Sequence, residues 1–160
     1  VPPLQGFLKA NVDAVIFPDG FIGVGGILRS YDGSFVGVCQ HRLLGYFSPK
    51  TAELIAIREI LSWIKRLDYD QIVLESDALT VVKALLSSSI SDFSSFESLV
   101  DNCKSLIAEM NSVSMSFVPR SANSVAHLIV RATSTISDRM EWLSIPPQLI
   151  VHTLMLYFQI

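Results

Sequence analysis

Apolar and polar positions alternate with a period of two over the first forty residues, and two Asp-Gly pairs divide that alternation into three runs. Asp19-Gly20 separates 8–16 from 21–29, and Asp32-Gly33 separates 21–29 from 35–41. Asp-Gly between apolar runs marks a hairpin, because glycine reaches positive φ without a Cβ clash. The pattern predicts three strands in an antiparallel meander. The period then changes. From Thr51 to Leu67 apolar residues recur at 54, 57, 61 and 64, and again at 56, 60, 63 and 67. So wide a stripe predicts a helix buried on most of its circumference, with Pro49 as its start signal. Residues 71–76 predict a fourth strand, and Ala78–Leu86 a short helix.

Seven serines among the twelve residues Ser87–Ser98 predict a solvated linker. Phe96, Leu99, Val100, Cys103, Leu106, Ile107 and Met110 then repeat at helical spacing. Val113, Met115 and Phe117 alternate as a fifth strand that Pro119 stops. A last helix, Ala122 to Thr133, is expected to bury Ala122, Val125, Ala126 and Ile129. A meander followed by crossover helices predicts an α/β fold, a mixed sheet with helices on both faces. At 160 residues the chain is expected to be one domain (1–160), with a core of about 7–135 and a C-terminal extension over 136–160.

Composition narrows the picture. Half the residues are apolar and 17% are charged, which excludes a disordered chain. A net charge of −3 gives no global attraction to nucleic acid, so any such binding must use a local basic patch. Cys39 falls in a strand pattern and Cys103 on an apolar helical face. Both are expected to be buried free thiols in a reducing compartment. The apolar tail from Leu149 to Ile160 is shorter than the ~20 residues a membrane span needs. It is expected to dock on the domain as a helix or strand. No signal-peptide pattern is seen, which points to an intracellular address, nucleus or cytoplasm. The start at Val1 is expected of a piece of a longer polypeptide. Gly23-Val24-Gly25-Gly26 lies inside a strand and lacks dinucleotide-loop spacing, so close backbone approach or a bulge is expected there. His41 is expected at a strand edge and His152 in the tail.

Three carboxylates fall where the predicted elements meet. Asp13 lies inside the first apolar run, Glu53 opens the long helix, and Asp77 ends the fourth strand. Carboxylates are seldom buried unless paired or metal-bound. Strand periodicity puts Lys9, Asn11, Asp13 and Val15 on one face, and Val73, Glu75 and Asp77 on another. If those strands are neighbours, Asp13 and Asp77 meet near their ends and Glu53 joins from the first helical turn. Glu75 is then at the rim or solvated. Clustered carboxylates repel one another, and hard divalent ions such as Mg²⁺ or Mn²⁺ resolve the conflict. Two such ions, about 4 Å apart, activate a water and stabilise the leaving oxygen in phosphodiester cleavage. The plainer alternative makes Glu53 a helix-capping residue, Asp77 an N-cap and Asp13 a hydrogen-bonded strand residue. Spacing alone leaves both open.

The text at these positions is KANVDA around Asp13, GVGGILRSYDG from Gly23, SPKTAEL around Glu53, VLESDALTVVKAL around Asp77, and VPRSANSVAHLIVRA from Val118. In this order it resembles the type 1 ribonuclease H domain. It is closest to plant ribonuclease H-like domains related to non-LTR retrotransposon reverse transcriptases. The resemblance implies a ribonuclease H-like five-stranded mixed sheet of order 3-2-1-4-5 with helices on both faces. It also implies a monomeric domain that cleaves the RNA strand of RNA–DNA hybrids with two divalent metal ions. Asp13, Glu53 and Asp77 match three of the family's four catalytic carboxylates, and His127 stands at the fourth position. There it is either a surface histidine or a ligand or proton carrier near the metals, on one helical face with Asn123 and Arg131. Asn123, Arg120 and Lys50 are the candidate substrate contacts, with Lys50, Arg58, Lys65 and Arg66 as a basic face on the long helix. Imidazole replaces carboxylate poorly on Mg²⁺ and better on Mn²⁺. The competing expectation is therefore a nucleic-acid-binding module that keeps the fold and has lost turnover.

Overall fold

The computed structural model describes residues 4–88 and 94–158. The Asp-Gly turns deliver the meander β1 (Leu8–Ile16), β2 (Phe21–Arg29) and β3 (Phe35–Leu44), paired antiparallel throughout. Gly20 and Gly33, at φ 86° and 87°, take the backbone conformation those turns require. Helix α1 (Pro49–Arg66) begins at Ser48, whose side chain accepts a hydrogen bond from the Thr51 amide, with Pro49 at its first position. Then come β4 (Gln71–Ser76), α2 (Leu79–Leu86), α3 (Ser95–Ala108), β5 (Ser112–Phe117), α4 (Ser124–Arg131), β6 (Arg139–Leu143) and α5 (Gln148–Phe158). Single 3₁₀ turns, Arg120–Asn123 and Ala132–Thr135, flank α4.

The sheet order is β5-β4-β1-β2-β3-β6, with β4 parallel to both β1 and β5. The expected order 3-2-1-4-5 is present, and a sixth strand is added beside β3. β6 lay in the stretch read only as an extension. It pairs with β3 from Gly37↔Leu143 to His41↔Arg139, so His41 is not on an edge strand. Its imidazole instead hydrogen-bonds Asp138 at 3.0 Å.

Each sheet face has its own core. On one, Ala10, Val12, Ile22, Val24, Leu28, Cys39, Ile72 and Leu74 pack under α1, α2 and α3. Nine residues of α1 are buried, which is the broad stripe its sequence predicts. On the other face Ile27 and Val38 meet Val125 and Ile129 of α4 and Ile150 and Leu154 of α5. α4 sits close because β2 offers glycines there. A Cβ at Gly23 would overlap the Thr133 hydroxyl and approach the Val130 carbonyl to 2.7 Å. Both cysteines are free and buried. No helix among the described residues is long and apolar enough to cross a membrane.

Two boundaries differ from expectation. Ser94 caps α3 by accepting from the Glu97 amide, so the helix begins inside the serine-rich stretch, whose residues 89–93 lie outside the described set. Ala122 is exposed, and Asn123 takes the buried place expected of it.

Candidate active site

β1 and β4 are parallel neighbours with Asn11 opposite Glu75. Two residues further along, β4 has ended and Asp77 lies beside Asp13. Ser76, fully buried, accepts a hydrogen bond from the Ala78 amide at 3.1 Å and shapes the turn that carries Asp77. Glu53 arrives from the first turns of α1. One oxygen from each of the three carboxylates lies within 4.8 Å of the others. The plainer capping roles are not the ones adopted: Ser48 caps α1, and the N-cap of α2 is Ala78.

The cluster carries an electrostatic conflict. Asp13 is only 3% exposed. Glu53 has a buried Oε2 with no hydrogen-bond partner. Burial first, then the charge and contact of Asp13, then Asp77, push the Glu53 carboxyl up to about 9. Burial and Asp13 also raise Asp77, while Arg120 and His127 oppose that rise. A buried carboxylate oxygen lacking a donor, facing two further carboxylates, fits a hard divalent cation with oxygen ligands. Asp13, Glu53 and Asp77 would hold it.

His127 is at this site and not on a bare surface. Its Nδ1 lies 3.0 Å from Asp13 Oδ2. A carboxylate only accepts, so Nδ1 is the donor. Arg120 Nη2 lies 3.4 Å and 3.5 Å from the two ring nitrogens. His127 does not join the mutually close set of three carboxylates.

The other candidates divide. Arg120 belongs to the site. Asn123 is 1% exposed, and its amide is committed: Nδ2 donates to the Val12 carbonyl at 2.8 Å and Oδ1 accepts from Asn11 at 3.2 Å. It fastens the start of α4 to β1 and offers a substrate no surface. Lys50 is exposed, with its ammonium 4.4 Å from the centre of the Phe96 ring. The basic face of α1 is largely matched by acid: Arg58 lies 3.5 Å from Glu59, Arg66 lies 3.9 Å from Glu141, and Lys65 pairs with Glu109. Glu75 stays below the rim, bonded to Asn11 at 3.0 Å and to Lys9 at 3.2 Å.

Sequence reasoning missed a buried polar network beneath the site. Asn11 is its hub, accepting from Arg29 and donating to Glu75 and Asn123. The signal was present: Lys9, Asn11 and Asp13 are the three polar residues on one face of an otherwise apolar strand. Gln40, equally buried, donates to the Ile129 carbonyl at 2.9 Å and ties β3 to α4.

The fold is that of ribonuclease H. An RNase H1 from Halobacterium salinarum superposes with a TM-score of 0.73 at 22% identity, covering 80% of this chain and 97% of that one. The N-terminal RNase H domain of a Mycobacterium tuberculosis protein gives 0.70 at 17% identity, covering 79% and 91%. LC11-RNase H1, isolated from compost by a metagenomic approach, gives 0.67 at 14% identity, covering 79% and 94%, in a complex with RNA/DNA hybrid. No match is found among curated proteins. The model of the reverse transcriptase-like family matches residues 11–133, which takes in Asp13, Glu53, Asp77 and His127, and the chain belongs to that family.

Proposed function

We propose that this chain is a divalent-metal-dependent endonuclease that hydrolyses the RNA strand of RNA–DNA hybrids. The observation that carries the reading is the convergence of Asp13, Glu53 and Asp77 within 4.8 Å, with a buried Glu53 oxygen lacking a donor. A bound Mg²⁺ or Mn²⁺ would supply Lewis acidity and a lowered pKa for water. The chain's own residues do the rest. Asp13 within β1, Asp77 just past β4 and Glu53 on α1 would hold the cation. Arg120, exposed beside them, pairs with a phosphate oxygen of the substrate. His127 holds Asp13 in one rotamer through its Nδ1 bond. Lys50, at the start of α1, adds a salt-sensitive phosphate contact. The hybrid complex of LC11-RNase H1 supports the choice of substrate class.

A second reading, a hybrid-binding module without turnover, draws on His127 standing at the fourth acidic position of the resemblance and on Ala14 after the first acidic residue. We also assign the domain a retroelement-related, plant-type origin, a place within a longer polypeptide, a monomeric state, and a nuclear or cytoplasmic address. The motif text supports the assigned origin, and the buried free thiols support the assigned address.

Incubating a labelled RNA–DNA hybrid with Mg²⁺ and separately with Mn²⁺ tests the proposal. The wild-type chain is expected to cut the RNA strand, and Asp77→Asn to lower the rate on the order of 10²-fold or more, at least the loss that outer-shell changes cause at metal sites. Hybrid bound but left intact with both ions selects the binding module. Absence of binding rejects both readings.

A further inference from the structure

One oxygen of Asp13 is already taken. Asp13 Oδ2 accepts a hydrogen bond from His127 Nδ1 at 3.0 Å, and the Arg120 guanidinium lies within 3.5 Å of both ring nitrogens. His127 is not a member of the mutually close set that Asp13, Glu53 and Asp77 form. A second divalent ion at that oxygen would displace the imidazole bond and sit beside a permanent cation. At such separations like charges repel by several kcal/mol wherever water is scarce. Net charge points the same way. One divalent ion together with Arg120 neutralises three carboxylates, whereas a second ion leaves two positive charges in excess.

From this arrangement we infer that the site takes one divalent ion, held by Asp13, Glu53 and Asp77, and that the His127–Arg120 pair occupies the flank where a second would bind. This rests on the metal-centre reading above and specifies its stoichiometry. His127 then acts as a positioning residue. It holds Asp13 through its Nδ1 bond, while Arg120 beside it supplies a fixed positive charge.

Mn²⁺ binding to the full chain, followed by titration calorimetry and by the electron paramagnetic resonance signal of free Mn²⁺, decides the matter without any assay of cleavage. One Mn²⁺ per chain is expected for wild type, at least tenfold weaker in Asp77→Asn, and two per chain in His127→Asp. Two ions on the wild-type chain overturn the inference while leaving the metal centre intact. One ion on a folded His127→Asp overturns the role given to His127. No Mn²⁺ bound, with Asp77→Asn indistinguishable from wild type, overturns the metal centre itself. Should His127→Asp fail to fold, the wild-type stoichiometry alone is decisive.

Discussion

The two faces of the sheet are built from different materials. Under α1 the contacts are apolar almost throughout, from Ala10 and Val12 through Ile57, Ile60 and Leu61. Under α4 a small apolar patch shares the interface with Asn11, Gln40, Asn123 and the acidic centre. The apolar face needs only complementary volume, so it tolerates no loss of volume. The α4 face needs every polar group partnered, so it is sensitive to loss of a single donor or acceptor. Placing the carboxylates where the two faces meet gives them a rigid floor and a polar wall.

That contrast can be broken from either side. Ile57→Ala, which opens a void under α1, is expected to cost about 3 kcal/mol in urea unfolding with hybrid affinity unchanged. Asn123→Ala, which strips the Val12 carbonyl of its donor, is expected to cost about 2 kcal/mol and to weaken catalysis as α4 loosens. Equal costs on the two faces, or a larger one for Asn123, would reverse the contrast.

Acidity sharpens it further. The folded, metal-free chain keeps a proton on Glu53 up to about pH 9, whereas the unfolded chain releases it near 4.5. Across that window the folded state binds more protons, so metal-free stability falls as pH rises. Glu53→Gln is expected to flatten that slope and raise the metal-free Tm at pH 8 by a few degrees, since 1 kcal/mol is worth about 2–4 °C in a chain of this size. A Tm that drops would show that Glu53 is stabilising as a carboxylate. The smallest effect belongs to the solvent side of β3. Asp138 is 82% exposed, and Asp138→Asn is expected to change stability by no more than about 0.5 kcal/mol in the same unfolding measurement.

Much of this was legible because the chain states it locally. The Asp-Gly turns, the wide stripe of α1 and the alternation of 71–76 each determine one element, and the strand faces of Asp13 and Asp77 follow from a period of two. β6 escaped because Arg-Met-Glu-Trp-Leu is short and carries two charges in five residues, and only Trp142 packs against a core. Its pairing is a tertiary fact that no run of five residues announces. The start of α3 was readable in Ser94 and Glu97, three apart, but a run of serines masked it. The pairing of Asn123 with Asn11, over a hundred residues away, has no local signature. Its polar character read as exposure when it is a buried tie.

The short sixth strand has a further consequence. β3 runs ten residues, and without Arg139–Leu143 its outer backbone amides and carbonyls would stand open along that length. Loss of α5 at the same stroke would uncover Ile27, Val38 and Ile129. A chain trimmed after Thr135 would thus present a long sticky border and a bare greasy patch together, the combination that makes protein molecules stack on one another.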